Sequence, residues 1–314
     1  MHEDIYLQPG VPDPRLPDET VLAIARKYIP RAQTVTEVDE SGGEARAYVI
    51  DNIYVLKVQR PHRLRPRTSL EKEVFFLKEL ATDQRITVPE VLGYGREEPY
   101  IEYILLTRMP GRAFRRLKLE GPARKEVLRA LGQTLRLIHS LDQESLMESN
   151  HFPGDQTFEE FKFRLKELFA DSVALINNQI AEKKLNWFLK TSPSEFAGEA
   201  LAGLPEEGER VALHSNPGPE HTFIDPSANT FTGLIDFGDA YISHPALDLR
   251  RWRHPLDRMA LLEGYVSLKP VSESFLKTWR VVMILADLAS LASATDPQLK
   301  QALEEDLEAR MAEK

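Results

Sequence analysis

The sequence contains no cysteine, which excludes disulfide bonds and thiolate metal sites and leaves the redox compartment open. It also lacks an apolar run long enough to span a bilayer. The longest run, residues 281–294, is interrupted by Asp287 and is expected to form a buried core helix. The first ten residues, MHEDIYLQPG, show neither the basic nor the apolar region of a signal peptide. We therefore expect a cytoplasmic protein with no membrane partner.

The sequence also has fewer basic than acidic residues. Lysine and arginine number 40 against 49 acidic residues, and the resulting net charge of −9 argues against a nucleic-acid partner. The one basic stretch, residues 60–67 (RPHRLRPR), is interpreted as a solvated loop. With 42% hydrophobic and 28% charged residues the composition is that of a globular protein, and 314 residues suffice for two lobes with separate cores.

The first third of the chain has the pattern of a small sheet with one helix. Between residues 34 and 58, short apolar runs separated by turn residues (VTEV, AYVI, YVLKV) predict antiparallel strands. Residues 70–80, LEKEVFFLKEL, have helical period. Two further strands are predicted, at residues 91–94 and 103–107, before Pro110 and Gly111 interrupt the pattern.

Helical patterns dominate the rest of the chain. They cover residues 125–141, 157–189 and most of 256–310. We therefore predict an α+β, bilobal protein. Its parts are an N-terminal arm (residues 1–16), a small antiparallel-sheet N-lobe (17–110) and a larger, mostly helical C-lobe (111–314).

Residues 211–236 depart from the helical pattern and carry most of the functional information. Their core reads HSNPGPEHTFID, then PSANTFTG, then LIDFG. Two short apolar strands, at residues 222–224 and 234–235, are joined by a turn. A hairpin would bring the polar groups that flank both strands to one place.

This arrangement resembles the catalytic and metal-binding loops of aminoglycoside phosphotransferases and related protein-kinase-like small-molecule kinases. Their pattern is H-G-D-L-H-x-x-N, a short strand, a turn and I-D-[FWY]. By this resemblance His214 matches the first histidine, Asn216 falls on the catalytic aspartate and His221 falls on the metal-binding asparagine. Asp236 matches the metal-binding aspartate. The later segment HPALDLRRW, through Asp248, is similar to the one that anchors the catalytic loop.

The N-lobe carries the charged pair that this resemblance implies. Phosphoryl transfer needs a cation on the α- and β-phosphates and an acid that holds this cation in place. Lys57 lies in the middle of the strand YVLKV, where an interior lysine is costly unless it is paired. Glu73, on the following helix, resembles the ion-pair glutamate of these kinases.

Two further segments match the nucleotide site by their position. Ser41, Gly42 and Gly43 fall between the first two strands, where the family places its phosphate-covering loop. Thr107 and Met109 lie in ILLTRMPG, which resembles the strand and hinge that receive adenine or guanine. Each feature alone is common in unrelated proteins, and the resemblance depends on their order and spacing together.

The resemblance implies Mg²⁺, ATP or GTP as phosphoryl donor, and a hydroxyl of a small antibiotic-like molecule or metabolite as acceptor. Asn216 departs from it, because an amide accepts a hydrogen bond but has no useful basicity. Three explanations stay open: an engineered replacement of aspartate, a natural loss, or a working enzyme that relies on positioning. The natural loss would give a catalytically silent nucleotide-binding pseudokinase or protein-interaction module. A further hypothesis is that a neighbouring carboxylate, Glu220 or Asp225, replaces the missing base.

His221 is the second departure, since Mg²⁺ prefers oxygen ligands and imidazole suits softer metals. The tetrapeptide G-P-E-H that ends at His221 resembles a loop of macrolide-phosphotransferase-like relatives, which marks a divergent member. The sequence leaves open the substrate, the choice between ATP and GTP, and the oligomeric state. A group of acidic residues that could attract a cationic aminoglycoside is interpreted as an exposed loop: Glu195, Glu199, Glu206, Glu207 and Glu209.

Overall fold

A five-stranded antiparallel sheet forms the N-terminal part of the protein. The structure, a computed structural model, describes residues 15–60, 69–97 and 101–312. The strands are β1 (Val35–Asp39), β2 (Ala45–Ile50), β3 (Tyr54–Gln59), β4 (Val91–Glu97) and β5 (Ile101–Thr107), in the spatial order β1-β2-β3-β5-β4. All but the last two residues of the predicted arm, and the basic stretch after Arg60, lie outside the described residues.

The turn between β2 and β3 fixes the register of the central strands. Asp51 and Asn52 both adopt positive φ angles, 51° and 59°, which a tight hairpin turn requires and which Asn and Asp tolerate. In the resulting register Lys57 on β3 lies opposite Ala47 on β2 and Ile104 on β5. Cross-strand partners share a face of the sheet, so Lys57 and Ile104 point to the same side.

The two faces of the sheet are covered by different helices. Helix α1 (Asp18–Arg26) packs with Tyr103 and Leu105 in one apolar cluster. Helix α2 (Leu70–Leu80) packs with Ile104 and Leu106 in the other, which continues into the helical part of the chain. This alternation along β5 is the period-2 pattern of a strand buried on both faces. It places Lys57 on the side of α2.

The remainder of the chain is mainly helical. The helices are α3 (Gly121–Ile138), α4 (Gln143–Glu148), α5 (Phe158–Ala181), α6 (Pro193–Ala202), α7 (Pro255–Leu268), α8 (Glu273–Leu291) and α9 (Pro297–Ala312). Short strands form two small sheets: β6 (Arg112–Ala113) with β8 (Thr222–Asp225) and β9 (Thr230–Leu234), and β7 (Val211–Leu213) with β10 (Tyr241–Ser243). The predicted bilobal α+β architecture is confirmed.

Two helix predictions need correction. The pattern over residues 157–189 was too long, because α5 ends at Ala181 and the residues after Lys183, which has a positive φ of 58°, are not helical. Helix α6 was missed, although Ser192 and Glu195 form a capping box at its start. Glu195 and Glu199 therefore lie on a helix and not in a loop.

Close backbone contacts hold the helical part together. Helices α3 and α7 approach each other at Gly132 and Gly264. A Cβ added at Gly132 would lie 2.1 Å from the backbone oxygen of Leu261, and one at Gly264 would lie 2.0 Å from that of Arg129. Helix α8 is buried over residues 281–288, and its Asp287 pairs with Arg258 of α7. Within the described ranges, none of the helices is both long and apolar enough to cross a membrane.

Candidate active site

Lys57 joins two segments that are far apart in the sequence. Its Nζ lies 2.7 Å from Oε2 of Glu73 on α2 and 2.5 Å from Oδ1 of Asp236, which follows β9. Burial alone would lower the pKa of Lys57, but the charges of Asp236 and Glu73 outweigh burial and raise the pKa well above its ordinary value. The ammonium group is therefore charged and largely buried, with its side chain 18% exposed.

Helix α2 provides Glu73 as the partner of Lys57 and also binds the segment that follows Asp236. Glu73 is 1% exposed, and its second oxygen accepts a hydrogen bond from the backbone N–H of Phe237 at 3.3 Å. Burial raises the pKa of Glu73 more than Lys57 lowers it. The preceding residue, Lys72, donates to the backbone oxygen of Ala240 at 2.7 Å. One helix thus fixes both the lysine and the segment that follows Asp236.

Asp236 has a strained backbone conformation and a partly exposed carboxylate. The residue has a φ of 71°, in the left-handed region that non-glycine residues rarely adopt, and such strain is often found at functional sites. Its side chain is 41% exposed. Burial would raise the pKa of Asp236, but Lys57 and His221 outweigh it and hold the pKa well below its usual value. The carboxylate is therefore ionised.

His221 connects Asp236 to the loop that contains Asn216. Its Nδ1 lies 2.8 Å from the backbone oxygen of Asn216, which can only accept, so Nδ1 is the donor. Its Nε2 lies 3.2 Å from Oδ2 of Asp236. The predicted base position and the predicted metal ligand are thus bridged by one imidazole ring.

The loop that follows β7 is held by a buried carboxylate. Asp248 accepts hydrogen bonds from the backbone N–H groups of His214 and Ser215, both at 2.8 Å. It also contacts Nε2 of His139 at 3.1 Å, and Nδ1 of His139 lies 3.1 Å from the hydroxyl of Tyr265. Asp248 therefore anchors the backbone of this loop, as the resemblance implied.

His214 acts as a spacer inside the same loop. Its Nε2 lies 3.0 Å from the backbone oxygen of Ile235, and its Nδ1 accepts from the N–H of Asn216 at 3.2 Å. Burial lowers the pKa of His214 to about 4, so the ring is neutral near pH 7. The side chain of Asn216 itself is half-buried. His214 thus sets the distance between the Asn216 loop and the Asp236 segment.

Sequence reasoning missed several supports of this loop. The indole N–H of Trp252 donates to the backbone oxygen of Pro217 at 3.0 Å, and Nε of Arg251 donates to that of Ser215 at 2.8 Å. The backbone N–H of Arg115 donates to the oxygen of Pro219 at 2.9 Å. These bonds use backbone acceptors, which leave no trace in a sequence pattern.

The donor set at Asp236 fits a magnesium ion that also binds phosphates. Mg²⁺ in nucleotide sites is held by one or two carboxylates together with phosphate oxygens and water. The described residues contain no cluster of three or more metal-ligating side chains, so this chain could supply only part of the shell. The ionised, exposed carboxylate of Asp236 suits that part. His221 suits it less well, because imidazole is a softer ligand.

Ser41 and Gly42 of the predicted phosphate loop already form hydrogen bonds with neighbouring residues of the N-terminal sheet. The N–H and hydroxyl of Ser41 both donate to Oδ1 of Asp39, at 2.8 and 2.6 Å, and the oxygen of Gly42 accepts from Arg60. The Ser41 amide would have to leave Asp39 in order to bind a phosphate. No described contact of Gly43 involves the centre.

The hinge residues stand at the end of β5. Oγ1 of Thr107 accepts from the N–H of Glu90 at 2.8 Å, while the sulfur of Met109 packs against Gly233. Met109 is 4% exposed and lies on the side of β9, the strand that leads to Asp236. Its position is compatible with the predicted base-binding hinge.

The remaining acidic candidates are engaged elsewhere. Asp225 closes the turn after β8 by accepting from Ser227, and Glu220 is exposed with Arg115 at 3.9 Å. Lys162 of α5 lies 3.3 Å from the backbone oxygen of Glu206 and 4.0 Å from its carboxylate. Arg210 donates to the backbone oxygen of Asp155 at 3.0 Å, and β7 begins at the next residue. The acidic residues 206–209 therefore lie at the start of β7, and the loop of Asn216 follows its end.

A sheet lysine paired to a helix glutamate, and a second carboxylate after a C-lobe hairpin, define a protein-kinase-like phosphotransferase architecture. The model of the phosphotransferase enzyme family matches residues 35–264, and the chain belongs to this family. A comparison with curated proteins found no match.

Solved structures agree on the fold at low sequence identity. The GDP complex of aminoglycoside 2'-phosphotransferase-IIIa aligns with 15% identity and a TM-score of 0.61, over 95% of this chain and 99% of the other. The macrolide 2'-phosphotransferase from Brachybacterium faecium aligns with 16% identity and a TM-score of 0.56, over 92% and 98%. The ternary complex of APH(2")-IIa with streptomycin and ATP aligns with 15% identity and a TM-score of 0.57, over 88% and 90%.

Proposed function

We propose that this protein binds a nucleoside triphosphate with Mg²⁺ and transfers its γ-phosphoryl group to a hydroxyl of a small molecule. The observation that carries the proposal is the double contact of Lys57. It brings together Glu73 and Asp236, which are 163 residues apart in the sequence, through bonds of 2.7 and 2.5 Å. The roles of the other site residues follow from their positions around Lys57, Glu73 and Asp236.

The charged residues would bind and orient the nucleotide. Lys57, kept extended by Glu73, would donate to oxygens of the α- and β-phosphates. Asp236 would hold Mg²⁺, with His221 touching the ion through water or contacting a phosphate oxygen. When bound, Mg²⁺ would neutralise phosphate charge during transfer. Ser41, Gly42 and Gly43 would cover the phosphates, and Thr107 and Met109 would receive the base.

Position 216 would face the acceptor hydroxyl. The amide oxygen of Asn216 can accept a hydrogen bond from this hydroxyl and orient it, but it cannot take the proton. The loose transition state of phosphoryl transfer leaves much of the catalysis to positioning and charge, so slow transfer is compatible with asparagine. His214 would keep Asn216 at its distance from Asp236.

A second candidate function rests on the same residue. Because Asn216 lacks basicity, the protein would act as a catalytically silent nucleotide-binding module if positioning alone proved insufficient. Both candidates predict nucleotide binding through Lys57 and Asp236. They differ in whether any hydroxyl compound becomes phosphorylated.

Restoring a carboxylate at position 216 distinguishes the two. For Asn216→Asp we expect the rate of substrate-dependent ADP or GDP release to rise about 10²- to 10⁴-fold over the unmodified protein, the contribution of a general base. The measurement is a coupled assay over a panel of hydroxyl compounds. Asn229→Asp, in the exposed turn between β8 and β9, is the matched control and should change nothing.

The outcomes have different meanings. A rise in Asn216→Asp alone supports a phosphotransferase with an impaired base. Nucleotide binding without turnover in either variant, over the whole panel, supports the silent module. The absence of nucleotide binding would refute both candidates.

A further inference from the structure

Three arginines flank the loop of Asn216 on the side of β10, and this inference about the acceptor substrate rests on the proposed function. Arg250 and Arg251 end the 3₁₀ turn that contains Asp248. Arg251 is exposed, and its Nε donates to the backbone oxygen of Ser215 at 2.8 Å. Arg164 reaches the same region from α5. We call these three residues the arginine cluster.

Arg250 is incompletely satisfied by its surroundings. Its Nε is buried, and no acceptor for it exists in the described part of the chain. Asp248, a carboxylate that acts electrostatically on Arg250, already accepts from the backbone N–H groups of His214 and Ser215 and contacts His139. A buried donor without a partner costs free energy, so such a group marks a place where a ligand could supply the acceptor.

Arg164 extends the positive charge along the strand that precedes the loop. Its guanidinium carbon lies 4.9 Å from the ring centre of Tyr241, and its Nη2 contacts Asp155 and the hydroxyl of Ser243. Tyr241 pairs with Leu213, the residue immediately before His214. Arg164 therefore lies along β10, between Ser243 and the Tyr241 ring that stands beside the residue before His214.

The cluster has more positive than negative charge. Burial and the charges of Arg251 and Arg164 lower the pKa of Arg250 to about 10, so the group stays charged near pH 7 in spite of this repulsion. Among the described residues, only Asp155 forms an ion pair with any of the three arginines. Asn216, which stands where the family has an aspartate, adds no negative charge that would repel an anion.

We propose that the arginine cluster recognises an anionic group, a phosphate or a carboxylate, on the hydroxyl-bearing substrate. The planar guanidinium fork matches the oxygens of both groups and binds them through charge-assisted hydrogen bonds. A cationic substrate such as an aminoglycoside would meet like charge beside the loop. The acidic residues that would attract it, 206–209, lie at the opposite end of β7 from the loop of Asn216.

The test is a calorimetric titration of the protein with glycerol 3-phosphate, gluconate and kanamycin, with and without a non-hydrolysable ATP analogue and Mg²⁺. The first two compounds carry hydroxyls with a phosphate or a carboxylate, and the third is cationic. We expect one of the two anions to bind, and we expect that kanamycin does not displace this anion. Which anion binds identifies the group that the cluster recognises.

Variants make the test specific for the cluster. Arg250→Gln and Arg251→Gln should each raise the dissociation constant of the anion about 10- to 100-fold, the loss of a charge-assisted hydrogen bond. Arg253→Gln is the matched control: this exposed arginine bonds to Ser290 and Ser293 of the α8 region and should leave anion binding unchanged. Because Arg251 is exposed, its variant decides the matter if Arg250→Gln does not fold.

Two results would overturn the inference. One is binding of kanamycin without binding of either anion. The other is anion binding that is equal in Arg251→Gln and Arg253→Gln, which would mark an adventitious ion only. Failure of the ATP analogue to bind would refute the proposed function instead, and the anion titration without nucleotide would still decide the role of the cluster.

Discussion

Replacing Lys57 by methionine tests whether the pair with Glu73 contributes to stability as well as to nucleotide binding. Methionine keeps most of the length of the side chain and removes its charge. Glu73 would then be a buried carboxyl group, 1% exposed, with only the N–H of Phe237 at 3.3 Å as a remaining partner. We expect Lys57→Met to be destabilised and to lose nucleotide affinity.

The size of the effect follows from the burial of the two partners. Removing one member of a fully buried ion pair costs about 3–5 kcal/mol. The Lys57 side chain keeps 18% exposure, so water weakens the interaction and about 2–3 kcal/mol is expected. The loss of stability in Lys57→Met should become smaller as the pH falls from 7 toward 5. Without the lysine, burial raises the pKa of Glu73 above that of the unfolded chain, and protonation then favours the folded state.

Denaturant unfolding at pH 7 and pH 5 measures both effects. Lys57→Met combined with Glu73→Gln should recover most of the stability, because the glutamine is neutral and can still accept from Phe237. Lys125→Met, which breaks an exposed pair with Glu263, is the control and should cost less than about 1 kcal/mol. A loss in Lys57→Met no larger than in this control, or no recovery in the double variant, would refute the reasoning.

Two further predictions concern the backbone and the pH dependence. Ser215 has a φ of 79°, so Ser215→Gly should raise the free energy of unfolding by about 0.5–1 kcal/mol, and a loss in denaturant unfolding would contradict this. Burial lowers the pKa of His244 to about 3, so the unfolded chain takes up a proton below pH 6.5 while the folded protein does not. Stability should therefore fall on acidification from pH 6.5 toward pH 3, by up to about 1.4 kcal/mol per pH unit from this group. His244→Asn keeps an acceptor for the N–H of Ala246 and removes the titration, so its pH profile should be flatter, and an unchanged slope would count against this assignment.

Local patterns predicted the N-terminal sheet and its helix well. The periodicity of residues 70–80 gave the bounds of α2 as the structure has them. The position of Lys57 in the middle of a strand correctly implied a partner, because an interior lysine requires one. The identity of one partner, Glu73, came from the resemblance to kinases, whereas the contact with Asp236, expected as a metal ligand, was not predicted.

The missed features are those that local sequence does not encode. The supports of the catalytic loop by Trp252 and Arg251 end on backbone oxygens, and backbone oxygens exist at every position. The unpartnered Nε of Arg250 depends on how the 3₁₀ turn packs against β7, α7 and α8, which is a tertiary property. Helix α6 was hidden by its acidic residues, which suggested a solvated loop.

The most direct test of the central claim is a calorimetric titration of the protein and of Asp236→Ala with ATP and GTP, with and without Mg²⁺. The account predicts that one or both nucleotides bind in a magnesium-dependent manner, and that Asp236→Ala weakens this binding at least about 10-fold by losing a charged ligand. Asp171→Ala, an exposed aspartate on α5, should bind like the unmodified protein. Nucleotide binding that is independent of both Mg²⁺ and Asp236, or no nucleotide binding at all, would contradict the account.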